Sequence, residues 1–170
     1  MKFRISVFPS KEIQDFANSF RKRYDSHYTL IQPHLTIREP EDWSEAQLQE
    51  AVSHLERVTA EYAPFTIHFN RFSTFYPVSN VIYIAVDDPE PLRRLRDLIC
   101  GSPPLKENTP YQYNPHLTVG RDLSDDELHD VYASLRKTDV DFSDTVDRVH
   151  LLYQTENQAW TAFQTFLLRG

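Results

Sequence analysis

One cysteine, three glycines and no long apolar run define what this chain is not. Cys100 stands alone among 170 residues, so neither an intrachain disulfide nor a cysteine-based zinc site can form. No segment approaches the roughly 18 consecutive apolar residues a membrane span requires. The opening Met1–Pro9 carries basic residues without the apolar run of a secretory signal, so a cytoplasmic protein free of membranes is expected. Surplus positive charge is also missing: 18 Lys and Arg stand against 25 Asp and Glu, a formal charge of −7. A broad duplex-binding face displaces counterions from phosphate with an excess of Lys and Arg, so duplex nucleic acid is not an expected partner. A small nucleotide or a single RNA end stays open.

What is present is ordinary for a globular chain, at 40% hydrophobic and 25% charged residues. A chain of this length buries roughly 70% of the surface it would expose unfolded, enough for a core without staples. Eleven prolines against three glycines indicate well-defined turns and no flexible linker. A strand is predicted over 2–8, then a helix from Ser10 to about Tyr24 with Ile13, Phe16, Ala17 and Phe20 on one stripe. A short strand follows over 34–38. Ser44 and Gln47 form a capping box that opens a second helix, with Leu48, Val52, Leu55, Val58 and Tyr62 inward. Strands are predicted over 65–69 and 81–86, then a third helix with Leu92, Leu95, Leu98 and Ile99 inward. After a proline-rich loop come a strand over 116–120, a fourth helix capped by Ser124 and Glu127, and strands over 146–153 and 160–168. The expected fold is α+β, with mostly antiparallel sheets and outer helices. It is one bilobal domain over 1–170, with an approximate pseudo-two-fold and a half boundary near residue 88.

The sharpest feature is a duplication. Pro33-His34-Leu35-Thr36-Ile37 is matched by Pro115-His116-Leu117-Thr118-Val119. From this chain's composition, two of seven histidines falling in Pro-His-Leu-Thr by accident is on the order of 10⁻⁵ or less, so the pair reads as an internal repeat. In a strand, residues i and i+2 share a face. His34 with Thr36, and His116 with Thr118, therefore project together, while Leu35, Ile37, Leu117 and Val119 turn inward. Arg38 would share the face of His34 and Thr36. Gly120 holds the matching place in the second copy, where Arg121 substitutes only if the strand bulges. Two imidazoles and two hydroxyls around one volume suit a tetrahedral anion. In-line displacement at phosphorus needs a base beside the attacking oxygen and an acid beside the leaving oxygen, and histidine serves either role near neutral pH.

Paired H-x-T motifs on equivalent strands resemble the 2H phosphoesterase superfamily. Phe8-Pro-Ser-Lys11, Pro33-His-Leu-Thr36, Asn80-Val-Ile-Tyr-Ile84, Pro115-His-Leu-Thr-Val-Gly120 and Val149-His-Leu-Leu-Tyr-Gln154 are most similar to the small bacterial YjcG-type phosphoesterases. The resemblance implies hydrolysis of a phosphodiester, a 2′,3′-cyclic phosphate or 2′-5′ linkage of a nucleotide or RNA end, with no metal and no cofactor. It implies His34 as proton donor, His116 as proton acceptor, and Thr36 and Thr118 orienting phosphate. Sequence physics alone leaves donor and acceptor interchangeable. The alternatives are 2′-5′ ligation of RNA by the same residues, and a nucleotide-binding module without turnover. Arg38 reads equally as a phosphate contact or a solvated strand-end charge.

The remaining candidates have structural readings. His27 falls in a turn, His54 on the outer face of the second helix, His129 on the fourth helix, and His68 and His150 on strands; none is expected to be catalytic. Tyr83 reads as a core aromatic whose hydroxyl reaches a partner. Phe72, Phe75 and Tyr76 form an aromatic loop expected to fold onto the core, with nucleobase stacking as its alternative. Asp125, Asp126 and Glu127 suit a helix first turn, where the dipole attracts acids.

Overall fold

The computed structural model describes all 170 residues. Eight strands and four helices follow in order: β1 (Lys2–Val7), α1 (Lys11–Tyr24), β2 (Leu35–Asp42), α2 (Glu45–Thr59), β3 (Phe65–Thr74), β4 (Ile82–Val86), α3 (Glu90–Cys100), β5 (Leu117–Gly120), α4 (Asp125–Leu135), β6 (Phe142–Val146), β7 (Arg148–Gln154) and β8 (Trp160–Leu167). The strands form one sheet in the order β6-β3-β4-β5-β2-β1-β7-β8, every pairing antiparallel. That order is symmetric about its centre. β2 and β5, the two motif strands, lie side by side and are joined by a single residue pair, Leu35 with Leu117. β1-α1-β2 and β4-α3-β5 are the repeated units on either side.

The helices form where side-chain chemistry satisfies their ends. Both expected capping boxes are present: the Gln47 and Glu127 N–H groups donate to Ser44 and Ser124, and the side chains reach back reciprocally. α1 packs Ile13 and Ala17 inward, with Phe16 and Phe20 gathered around Phe72. α1 lies over β5 and α3 over β2, so each crossover helix reaches across the central seam. One hydrophobic cluster of 31 buried residues runs through both lobes.

Several expectations are corrected here. A boundary near residue 88 does not divide the lobes: β3 sits with β4, β5 and β6, whereas β7 and β8 return to β1 and β2. Strand β6 was not anticipated; Asp141 and Asp144 around a short exposed edge hide its alternation. β3 runs to Thr74 and β2 continues past Pro40, where register shifts relax the ladder a proline cannot join. His54 is not on an outer face but is 3% exposed, and its Nε2 donates to the Ile99 carbonyl oxygen (2.9 Å), tying α2 to α3. Leu98 is 36% exposed because Leu92, Leu95, Arg96 and Ile99 make the buried stripe instead.

Leu117 is fully buried at the one ladder pair joining the two motif strands. Leu117→Ala should cost about 2–5 kcal/mol through lost burial and the cavity left behind. A urea-unfolding midpoint that barely moves would show that the seam does not depend on this pair.

Candidate active site

The site begins with the phase of two strands. Leu35 and Leu117 both point into the core at 0% exposure. Their neighbours on the opposite face, His34, Thr36, His116 and Thr118, line one cleft of about 1110 Å³. Antiparallel register about the Leu35–Leu117 pair sets His34 opposite Thr118 and Thr36 opposite His116. The two histidines thus reach one cleft from adjacent strands.

Each imidazole is held from behind in the same way. His34 Nδ1 lies 2.8 Å from the Gln32 carbonyl oxygen, and His116 Nδ1 lies 2.9 Å from that of Asn114. A carbonyl only accepts, so Nδ1 carries the proton and the neutral ring keeps its lone pair on Nε2. Burial pushes both rings below the ordinary histidine value, with the Gln32 and Asn114 carbonyls opposing the shift. His34 is depressed further, because the Arg4 guanidinium adds to its burial.

Arg38 does not join them. Thr36 pairs with Ser6, but Ile5 pairs with Arg38, so β2 carries an extra residue at Ile37–Arg38. The bulge slips the two-residue alternation by one. Arg38 turns to the core side at 4% exposure, donating from Nε to the Leu105 carbonyl oxygen (3.2 Å) with its guanidinium over Trp43. β5 bulges at the equivalent place, since Tyr83 pairs with Thr118 and Ile82 with Gly120. The residues three beyond each threonine therefore reach the cleft, Glu39 from β2 and Arg121 from the end of β5. Equivalent positions carry opposite charges.

Two further walls went unread in the sequence. Arg4, on β1, donates from Nη2 to His34 Nε2 (3.0 Å) and to Thr36 Oγ1 (2.6 Å), with its guanidinium 5.0 Å from the Trp160 ring centre. It has no carboxylate partner, and its Nε is buried without an acceptor. Burial lowers it to about 10, so it is a cation at neutral pH. On the other lobe Phe75 stacks on Tyr83 at 4.5 Å and meets His116 edge-on at 4.9 Å. Phe75 thus faces the cleft, while Phe72 is in the core and Tyr76 is outside beside His129. Tyr83 is buried as expected, its hydroxyl accepting from Asn114 Nδ2 (3.2 Å). A cationic strand mid-position had no pattern to reveal it; the aromatic loop was a visible signal.

Arg121 is neutralised where Arg4 is not. Its Nε lies 2.8 Å from Asp25 Oδ1, and its Nη1 donates to His27 Nδ1 (2.9 Å), bringing His27 to the cleft rim. Asp25 also accepts from the fully buried Arg21 Nε (3.0 Å) and from the His27 backbone N–H (2.8 Å). No three His, Cys, Asp or Glu side chains converge as metal ligands anywhere in the chain. The donors offered to a ligand are imidazole, hydroxyl and guanidinium, a set suited to an enzyme acting on phosphate esters.

Comparison with known proteins agrees. The model of the 2′-5′ RNA ligase superfamily matches residues 9–158. Proteins of Geobacillus sp. (strain WCH70) and Geobacillus kaustophilus, each bearing the name "Putative phosphoesterase", are 50% and 47% identical over the whole of this chain and 98% of their own. Escherichia coli LigT complexed with 3′-AMP superposes with a TM-score of 0.73 at 16% identity, covering 99% of this chain and 98% of LigT. That likeness speaks for the fold. The chain belongs to the 2′-5′ RNA ligase superfamily and is a phosphoesterase of the two-histidine class.

Asp25 has 0% side-chain exposure and serves two arginines. Asp25→Asn leaves buried positive charge uncompensated and should cost about 3–5 kcal/mol in urea unfolding. A loss under about 1 kcal/mol would mean the cluster is not a structural anchor.

Proposed function

We propose that this phosphoesterase hydrolyses a phosphodiester, a 2′,3′-cyclic phosphate or 2′-5′ linkage of a nucleotide or RNA end, by general acid–base catalysis with His34 and His116. The observation that carries the reading is the pair of Nε2 lone pairs directed to one cleft, each ring locked through Nδ1 by a backbone carbonyl. One imidazole takes a proton from water as it attacks phosphorus, and the other protonates the leaving ribose oxygen. A cyclic phosphate plus water thus yields a phosphomonoester and a free hydroxyl. Thr118 makes no side-chain hydrogen bond within the protein and is free to donate to a non-bridging oxygen, as is Thr36 once a substrate displaces Arg4. Arg4 offers the phosphoryl group a positive charge that no protein carboxylate pairs with. Both proton transfers fall to imidazoles, so no metal enters the mechanism.

Substrate class follows from the walls. The Phe75 ring, which lines the cleft beside His116 and is backed by the buried Tyr83, suits a nucleobase, for which stacking contributes about 1–3 kcal/mol per base. The cleft volume slightly exceeds the roughly 300–1,000 Å³ of usual small-ligand pockets, room for a nucleotide or a short RNA end. LigT has been crystallised with 3′-AMP, ATP and phosphate, which supports a nucleotide substrate here. The net charge of −7 argues against gripping long RNA.

His34→Ala and His116→Ala should each lower turnover of a 2′,3′-cyclic nucleotide roughly 10²- to 10⁴-fold, with smaller losses for Thr36→Ala and Thr118→Ala. Parent protein that hydrolyses nothing above background across cyclic nucleotides, cyclic-phosphate-ended RNA and 2′-5′ dinucleotides would leave only a binding module. The pH dependence carries a sign. Activity needs one ring neutral and one protonated, and both rings titrate below the ordinary value of 6.5. The kcat/KM optimum should therefore lie on the acid side of pH 6.5; an alkaline optimum contradicts the assignment.

A further inference from the structure

The carboxylates that line the cleft are not alike. Asp122 accepts from the Ser26 hydroxyl, and Glu107 accepts from Arg96 Nη2 at 2.6 Å. Glu39 is exposed at the cleft and takes neither a hydrogen bond nor an ion pair from the protein. At the equivalent position of the other lobe, Arg121 is matched by Asp25. Glu39 is thus the one cleft carboxylate whose oxygens are both unused. The antiparallel course of β2 against β5 carries it past His116 toward Asn114. The Tyr113 hydroxyl, donating to the Thr36 carbonyl oxygen (2.6 Å), fastens the segment before Asn114 alongside β2. The charge of Glu39 is felt at His116 and at Arg4, where it favours the protonated forms. Phe75, edge-on to His116 at 4.9 Å, borders the same part of the cleft.

We propose that Glu39 selects guanine: the base of the substrate stacks on Phe75 and presents its N1–H and 2-amino group to the Glu39 carboxylate. This names the substrate class within the phosphodiester reading and rests on it. A bare carboxylate beside a bound phosphate repels it, so Glu39 weakens binding of every phosphodiester unless the same ligand brings donors to its oxygens. Bases of single-stranded nucleic acid are read along the Watson–Crick edge once they are stacked on an aromatic ring. Only guanine, of the four RNA bases, sets two N–H donors side by side on that edge, matching the two oxygens of one carboxylate. Such two-point, charge-assisted pairs add geometric specificity as well as energy. Adenine and cytosine set an amino group beside a ring-nitrogen acceptor, which the second carboxylate oxygen repels. Uracil sets a single N–H between two carbonyl oxygens. A guanosine 2′,3′-cyclic phosphate, free or at the end of a short RNA, therefore satisfies both parts of the cleft. Its phosphate meets Arg4 and the motif threonines, and its base meets Phe75 and Glu39.

The test is kcat/KM for the 2′,3′-cyclic phosphates of guanosine, adenosine, cytidine and uridine. Guanosine should lead by about tenfold or more, the discrimination one good bidentate pair supplies. Inosine 2′,3′-cyclic phosphate, which lacks the 2-amino group, should fall between guanosine and adenosine. Glu39→Gln keeps the size of the side chain but offers one acceptor oxygen in place of two. It should bring guanosine to within roughly 3-fold of adenosine, and through KM rather than kcat, because a base contact acts on ground state and transition state alike. Four parent rates that do not differ, or a guanosine preference that survives in Glu39→Gln, overturn the inference and leave the phosphodiester reading standing. Parent protein that hydrolyses none of the four overturns that reading itself. Base selection is then decided by calorimetric binding of guanosine 3′-monophosphate against adenosine 3′-monophosphate: tighter guanosine binding upholds it, and equal binding overturns it.

Discussion

Everything in this structure is arranged around one contact, the pairing of Leu35 with Leu117 at the middle of the sheet. Two motif strands approach closely enough to pair at that residue alone, and both leucines are sealed in the core. With those side chains inward, the alternation of a strand leaves the flanking histidines and threonines no place but the opposite face. Such a seam is too short to hold two lobes by itself. α1 lying over β5, α3 lying over β2 and the unbroken apolar cluster beneath supply what the ladder lacks.

On that symmetric frame the chemistry is deliberately unequal. Paired bulges after Thr36 and Thr118 bring Glu39 and Arg121 to equivalent places with opposite charge. One lobe adds Arg4, and the other adds the stacked rings of Phe75 and Tyr83. Displacement at phosphorus has distinct entering and leaving sides. A strictly symmetric cleft would bind a phosphodiester in two opposed orientations, only one of them reactive for a given proton distribution. Asp25, which neutralises Arg121 and Arg21 together, keeps part of this charge pattern rigid.

Most of the fold was legible because its signals are local. Capping boxes at Ser44 and Ser124, apolar stripes on α1 and α2, and prolines before both motifs depend on residues a few positions apart. The duplicated Pro-His-Leu-Thr is by itself enough to bring the two histidines and threonines to a shared cleft. What escaped depends on partners distant in sequence. Arg38 was misplaced because a bulge is set by the neighbouring strand, not by the strand's own composition. His54 looked exposed because the carbonyl that binds it belongs to Ile99 on another helix. Arg4 carries no motif and gains meaning only when β1 lies beside β2. β6 went unseen because an edge strand facing water needs little apolar alternation.

The interleaving of the lobes has a consequence for biogenesis. β1 leaves the ribosome long before β7, yet its far edge pairs with that strand, Ser6 opposite His150. Until β6 and β7 are synthesised, the segment bearing Arg4 has an unfilled hydrogen-bonding edge and neither lobe is closed. Pairings this distant in sequence place the protein among high-contact-order chains, which fold in milliseconds to seconds rather than microseconds. The cleft is therefore assembled as a whole and late, and a nascent chain interrupted before residue 148 holds both histidines without the architecture that gives them a function.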